Sequence, residues 1–171
     1  MPVARVLGSR KRIKGASVEA WHAIESMLSV RLPVEYKTLV DEYGDAMIFG
    51  HLYLPHPEGN KPLSKFLEDR KFREAEIEYY QSVPDRVRQF GNLMVPWCYH
   101  SWDGDMGYLM PPGGEWESWS VVIELRQESR FVIHDVGVDD FILKLSDESR
   151  FMPTWPRENP SWRSIPESFL I

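Results

Sequence analysis

The side chains best suited to covalent or acid–base chemistry are Cys98, His100, His134 and the neighbouring Asp135. A thiol becomes a nucleophile when an imidazole within hydrogen-bond reach takes its proton. Cys98 and His100 are two residues apart, so on a strand they share a face, but side chains at that spacing rarely meet edge to edge. No local nucleophile signature surrounds Cys98, and a lone cysteine ordinarily fills core space as a small apolar group. The five histidines are His22, His51, His56, His100 and His134, and no pair has the HExxH spacing of a zinc protease. A single cysteine excludes a disulfide within the chain and a cysteine-based zinc cage. Asp103-Gly104-Asp105-Met106-Gly107 begins like a calcium loop, but Gly114 stands where the bidentate glutamate is needed. It reads as a hairpin turn. Gly113-Gly114 follows two prolines and precedes no helix, so it is no phosphate cradle. No catalytic residue, cofactor site or metal site is assigned.

Aromatic and acidic residues give a stronger signal. Of the seven tryptophans, Trp21 has a core role by periodicity, and Trp97 and Trp119 flank strands. Trp102, Trp116, Trp155 and Trp162 lie in loop-like sequence, and where such a side chain is exposed it marks a protein interface. Sugars also stack on exposed indoles, but nothing marks the chain for export. Acids gather beside these tryptophans: Asp103 and Asp105 at one turn, Glu115 and Glu117 around Trp116 at the next. The net charge is −6. Residues 1–16 hold Arg5, Arg10, Lys11, Arg12 and Lys14 and no acid, so the remainder carries about −11. That charge disfavours general nucleic-acid binding and steers a basic partner. The expected partner-binding surface is Trp102, Asp103, Asp105, Glu115, Trp116 and Glu117.

The elements that must position these residues follow from periodicity. At 171 residues the chain has the length of one domain, and no apolar run reaches the ~18 residues of a membrane helix. Ser17 caps a helix over 17–29 whose Val18, Trp21, Ile24 and Leu28 share a face. Pro33 opens a second, with Tyr36, Leu39, Val40 and Tyr43 inward and Gly44 ending it in the left-handed conformation. Residues 47–54 read as one strand closed by Pro55 and Pro57. A third helix spans about 63–81, bounded by Pro84. Strands follow at 93–97, 106–110, 119–125 and 130–134, and a last helix at 138–145 buries Val138, Phe141, Ile142 and Leu145. Short links make the strands an antiparallel meander. The fold class is α+β: a single domain with a mixed or antiparallel sheet of about five or six strands, covered by about four helices on one side. Residues 1–16 are expected as a flexible basic extension, 17–150 as the domain, and 151–171 as a Pro/Trp-rich tail packed on it. The basic start lacks the apolar core of an export signal, which fits a cytoplasmic protein.

Trp21-His-Ala-Ile24-Glu25-Ser-Met-Leu28, then Leu32-Pro33-Val-Glu35-Tyr36-Lys37-Thr-Leu39-Val40, then Tyr43-Gly44, resembles the opening of the SUKH superfamily. That superfamily takes its name from fungal cell-wall-synthesis regulators and their bacterial relatives. Leu52-Tyr-Leu54-Pro55 is similar to its first strand and exit. Leu93 to Trp97, the Asp103-Gly104-Asp105 turn, Trp119 to Ile123 and Phe141-Ile142 are similar to the second half of actinobacterial-type members. The basic start and a long charged insert at 68–90 lie outside the pattern. The resemblance implies a non-enzymatic binding domain with no shared catalytic set. The expected partner is a bacterial polymorphic toxin domain, a nuclease by charge, or another cytosolic protein in a regulatory module without a toxin. No direct nucleic-acid or membrane contact is expected, and the chain is expected as a monomer or weak dimer.

Overall fold

The computed structural model describes residues 3–8, 14–68, 80, 82–147 and 151–155, with the backbone of 162–164. Helices α1 (Ala4–Leu7), α2 (Val18–Leu28) and α3 (Val34–Tyr43) come first. A hairpin of β1 (Ala46–Ile48) and β2 (Leu52–Leu54) follows. Next come a helical stretch, α4 (residues 63–68), and α5 (Asp85–Phe90). The meander is β3 (Val95–His100), β4 (Met106–Met110), β5 (Ser120–Leu125) and β6 (Arg130–His134). Helix α6 (Val138–Asp147) and β7 (Trp162–Ser164) end the chain order. The strands form one seven-stranded sheet in the order β6-β5-β4-β3-β2-β1-β7, each neighbouring pair antiparallel. The fold is α+β.

The resemblance motif builds the first layer. The Ser17 hydroxyl accepts the Ala20 N–H at 3.2 Å and caps α2. Trp21, Ile24 and Leu28 are buried, and the Trp21 indole donates to Asp41 of α3 at 3.0 Å. The Glu25 carboxylate accepts from the Leu32 N–H and from Lys37 Nζ, each at 2.9 Å. It therefore ties the linker to both helices and seats Leu32 in the core, and these bonds hold its pKa below the usual range although burial pushes the other way. Tyr36, Leu39, Val40 and Tyr43 are fully buried, as their spacing predicts.

Alternation along the central strands then makes two cores. Leu109, Val121 and Ile123 face α2, α3 and α6 with Phe141 and Ile142. Met106, Tyr108, Met110, Val122 and Phe131 face the other way and are covered by Val83, Val87, Tyr80 and Phe90. This second layer comes from the charged insert, whose helix α5 was not expected. Its chain flanks the outer edge of β6, bridging at Ser82–Arg130 and again through Arg86 to Asp135. Pro84 between them has no N–H to offer, so the sheet edge is covered without being extended.

Several expectations differ from the structure. Val18 is 79% exposed rather than inward, because it opens α2 beyond the reach of the core. Gly44 is extended (φ −63°, ψ 165°), and the left-handed residue is Asp45 (φ 55°). Glycine is required there for another reason: a Cβ would lie 2.5 Å from the Val40 carbonyl. The strand 47–54 is two strands, reversed by left-handed Phe49 and Gly50, and the strand at 93–97 starts later and runs to His100. Only 63–68 of the helix over 63–81 lies in described helix, and 69–79 lie outside the described residues. The start of the basic extension is packed, not free: Val3 and Leu7 are buried, and the Tyr43 hydroxyl donates to the Gly8 carbonyl at 2.7 Å. The two apolar residues at i and i+4 outweigh the neighbouring charge. Among the described residues, no helix is long and apolar enough to cross a membrane.

Candidate functional site

The first chemical candidates do not assemble into a nucleophile and base. Cys98 is buried, and burial pushes its thiol well up despite a hydrogen bond from the Gly107 backbone. Among the described residues no hydrogen bond joins it to an imidazole, and no Cβ would fit at Gly107, since Cys98 Sγ would lie 2.5 Å away. His134 packs against Phe141 and Phe151 with ring centroids at 5.1 and 4.7 Å. Burial, then the Lys144 charge, pulls its pKa down. Among the described residues no group of three or more His, Cys, Asp or Glu is placed to hold a metal. A shallow cavity of ≈ 240 Å³ at the end of α2, lined by His22, Glu25, Ser26, Ser29, Val30 and Arg31, holds none of these groups except a histidine and the committed Glu25.

The six residues expected to form one binding surface fall at opposite ends of β4. Five residues at roughly 3.3 Å each separate the ends by about 15 Å or more. Trp102, Asp103 and Asp105 lie at the β3–β4 turn; Glu115, Trp116 and Glu117 lie in the β4–β5 loop. Adjacency in sequence hid this, because a strand between two loops sends them to opposite sheet ends.

At the turn, Trp102 is 58% exposed. Beneath it sit the rings of His51 and His100, 5.6 and 6.1 Å away. His100 also stacks on Trp155 at 5.3 Å and 28°. Trp155, in the tail expected to pack on the domain, is buried, and its indole N–H donates to the Asp105 carboxylate at 2.9 Å. Asp105 is buried too and accepts the Arg126 N–H at 2.9 Å. Burial raises its pKa against these bonds. It fastens the tail to the hairpin and offers little to a partner, a correction to its expected place on the surface. Asp103 Oδ1 contacts His100 Nδ1 at 2.5 Å and accepts the Asp105 N–H at 3.2 Å. Burial nevertheless keeps the His100 pKa below its ordinary value, the two aspartates opposing it.

At the other end, Glu115 and Glu117 are exposed on either side of half-buried Trp116. Arg86 lies under the Trp116 ring, 4.2 Å from its centroid. Its side chain is 5% exposed. It donates to Asp135 Oδ1 at 2.5 Å and to Ser120 Oγ at 2.8 Å, and Ser120 donates to the same Asp135 oxygen at 3.0 Å. Burial raises the Asp135 pKa, but Arg86 and Ser120 outweigh it and hold the carboxyl below its usual range. The Asp135 side chain is still 61% exposed. Gly113 seats the loop on α5, since any Cβ there would meet Phe90 at 2.5 Å. Arg86 and His51 carry these two loops and were missed from sequence. The only local signal for Arg86 was Val83-Pro84-Asp85, a proline-opened helix start inside the charged insert.

The model of the SMI1-KNR4 cell-wall family (SUKH_6) matches residues 18–142. No curated protein matches the chain. No solved structure matches it. The matched span runs from the first residue of α2 into α6, so it takes in both helices of the motif and the whole meander. The chain belongs to the SMI1-KNR4 cell-wall family of the SUKH superfamily.

Proposed function

We propose that this chain is a non-enzymatic protein-binding domain of the immunity type, which binds and neutralises a bacterial polymorphic toxin domain, most simply a nuclease. Family membership supports a protein-interaction role. The observation that carries the reading is the acidic ridge at the β4–β5 loop. Glu115 and Glu117 stand exposed around a tryptophan clamped on a buried arginine, with the exposed side of Asp135 beside them. A pre-positioned aromatic ringed by carboxylates loses little freedom on docking, and its charge complements the basic groove by which a nuclease holds its substrate. Occupying that groove would block the toxin without any chemistry by this chain.

The test is capture of partners from the native host with the tagged full-length protein, followed by affinity measurement on the partner recovered. A dominant partner with a basic domain is expected, bound at least tenfold more weakly by Glu115→Gln/Glu117→Gln and more weakly at high salt. Equal binding by the double variant, at every salt concentration, would sink the ridge. Recovery of cytosolic proteins with no toxin domain would favour a regulatory interaction module instead.

A further inference from the structure

We propose that the β3–β4 turn is a second contact, which takes one arginine or lysine side chain of the partner between the Trp102 indole and the Asp103 carboxylate. The proposal rests on the protein-binding reading and names the chemistry the other end of β4 would recognise.

Three observations carry it. Among the described residues, Trp102 is the only tryptophan in the set of large exposed apolar side chains, at 58%, yet it is not loosely held. It stands on His51 and His100, and His100 in turn stacks on Trp155, which the Asp105 carboxylate pins from below. Second, Asp103 is oriented by its Oδ1, which takes His100 Nδ1 and the Asp105 N–H. Its Oδ2 has no partner among the described residues, and the side chain is 28% exposed. Third, both groups contact the same imidazole, so one ring fixes an indole and a carboxylate in one small patch. The neighbouring Arg126 passes Gly104 and gives its backbone N–H to Asp105.

An indole face attracts a cation through its quadrupole, and a carboxylate oxygen accepts its N–H groups. A planar guanidinium can stack on the first and bond the second at once; an ammonium can do so only as a point charge. The patch therefore fits arginine better than lysine. Because its donors and acceptors are held by buried rings, the partner side chain supplies nearly all of the ordering cost.

The experiment uses the full-length, isotope-labelled protein and three blocked tripeptides, glycine flanking arginine, lysine or neutral citrulline. The Trp102 indole N–H, assigned with Trp102→Phe, and the Asp103 amide should shift saturably with the arginine peptide, less with lysine and not with citrulline. Asp103→Asn and Trp102→Ala should each weaken the arginine response about tenfold, while Glu115→Gln/Glu117→Gln leaves it unchanged. Trp102→Ala keeps the test open if Asp103→Asn unsettles the turn. Equal shifts with citrulline, or a response untouched by both variants, would overturn the proposal. A native partner lost on Glu115→Gln/Glu117→Gln but indifferent to Trp102→Ala would overturn this contact and leave the protein-binding reading standing. A specific arginine response with no protein partner captured would do the reverse.

Discussion

The two ends of β4 solve the same problem with opposite chemistry. Each presents a tryptophan with acids beside it, and each must hold that loop still. The β3–β4 turn does so with stacked rings and one buried carboxylate: His51, His100 and Trp155 stack, and Asp105 takes the Trp155 indole. The β4–β5 loop does so with a buried cation: Arg86 carries Trp116 and bonds Asp135 and Ser120. At the turn the acid is spent inside and the indole is left outside. At the loop the cation is spent inside and Glu115 and Glu117 are left outside. What a loop offers a partner is thus set by which group the core consumes, and sequence proximity of acid and tryptophan does not decide it.

The comparison breaks most visibly at Arg86. Arg86→Met should cost about 2–3 kcal/mol in urea unfolding, below the full cost of splitting a buried pair because Asp135 can reach water. It should also loosen Trp116, read as a red-shifted, more quenchable indole. A cost under about 0.5 kcal/mol would mean the loop does not depend on it. At the turn, Asp105→Ala should cost about 2 kcal/mol, since the Trp155 indole and the Arg126 N–H both lose their acceptor. Asp105→Asn, which keeps one acceptor oxygen, should cost less.

Acidity separates the two ends by sign. Asp135 has its pKa lowered in the fold, so its contribution is present above the unfolded aspartate range and is lost as pH falls through the folded value. Asp105 has its pKa raised, so its contribution is fully present below the unfolded range and is lost as pH rises through the folded value. Asp135→Asn should therefore become more damaging between pH 3 and 7, and Asp105→Asn less damaging, over the same unfolding series. Parallel slopes would contradict the assignment. The smallest effect is expected at Trp102: Trp102→Ala should change stability by no more than about 0.5 kcal/mol, because an exposed side chain loses little on truncation.

The first layer was legible because one surface periodicity decides it: Trp21, Ile24, Leu28, Tyr36, Leu39, Val40 and Tyr43 are inward as their spacing requires. The motif that gives the resemblance is also the part whose work is structural. Glu25, Lys37 and Trp21 spend their polar groups on Leu32, on each other and on Asp41, so the most recognisable residues identify the fold and leave the partner unnamed. The β1–β2 hairpin was hidden because its left-handed turn residue is Phe49, a residue type that rarely adopts that conformation. The burial of Asp105 was hidden because its partner, Trp155, lies 50 residues away. Arg86 was hidden because a lone arginine in a charged insert looks solvated until Val83 and Val87 are seen packed beneath the sheet.

We propose that this domain acts by binding through acidic, aromatic loops and not by chemistry at Cys98 or His134. The most direct measurement is the affinity of the captured native partner for four proteins: wild type, Glu115→Gln/Glu117→Gln, Trp102→Ala, and Cys98→Ala/His134→Ala, with protection of cells from that partner scored alongside. The loop variants should lose affinity and protection together, while the Cys98 and His134 double variant keeps both. Loss of protection in the Cys98 and His134 variant with affinity and folding intact, and indifference to the loop variants, would contradict it.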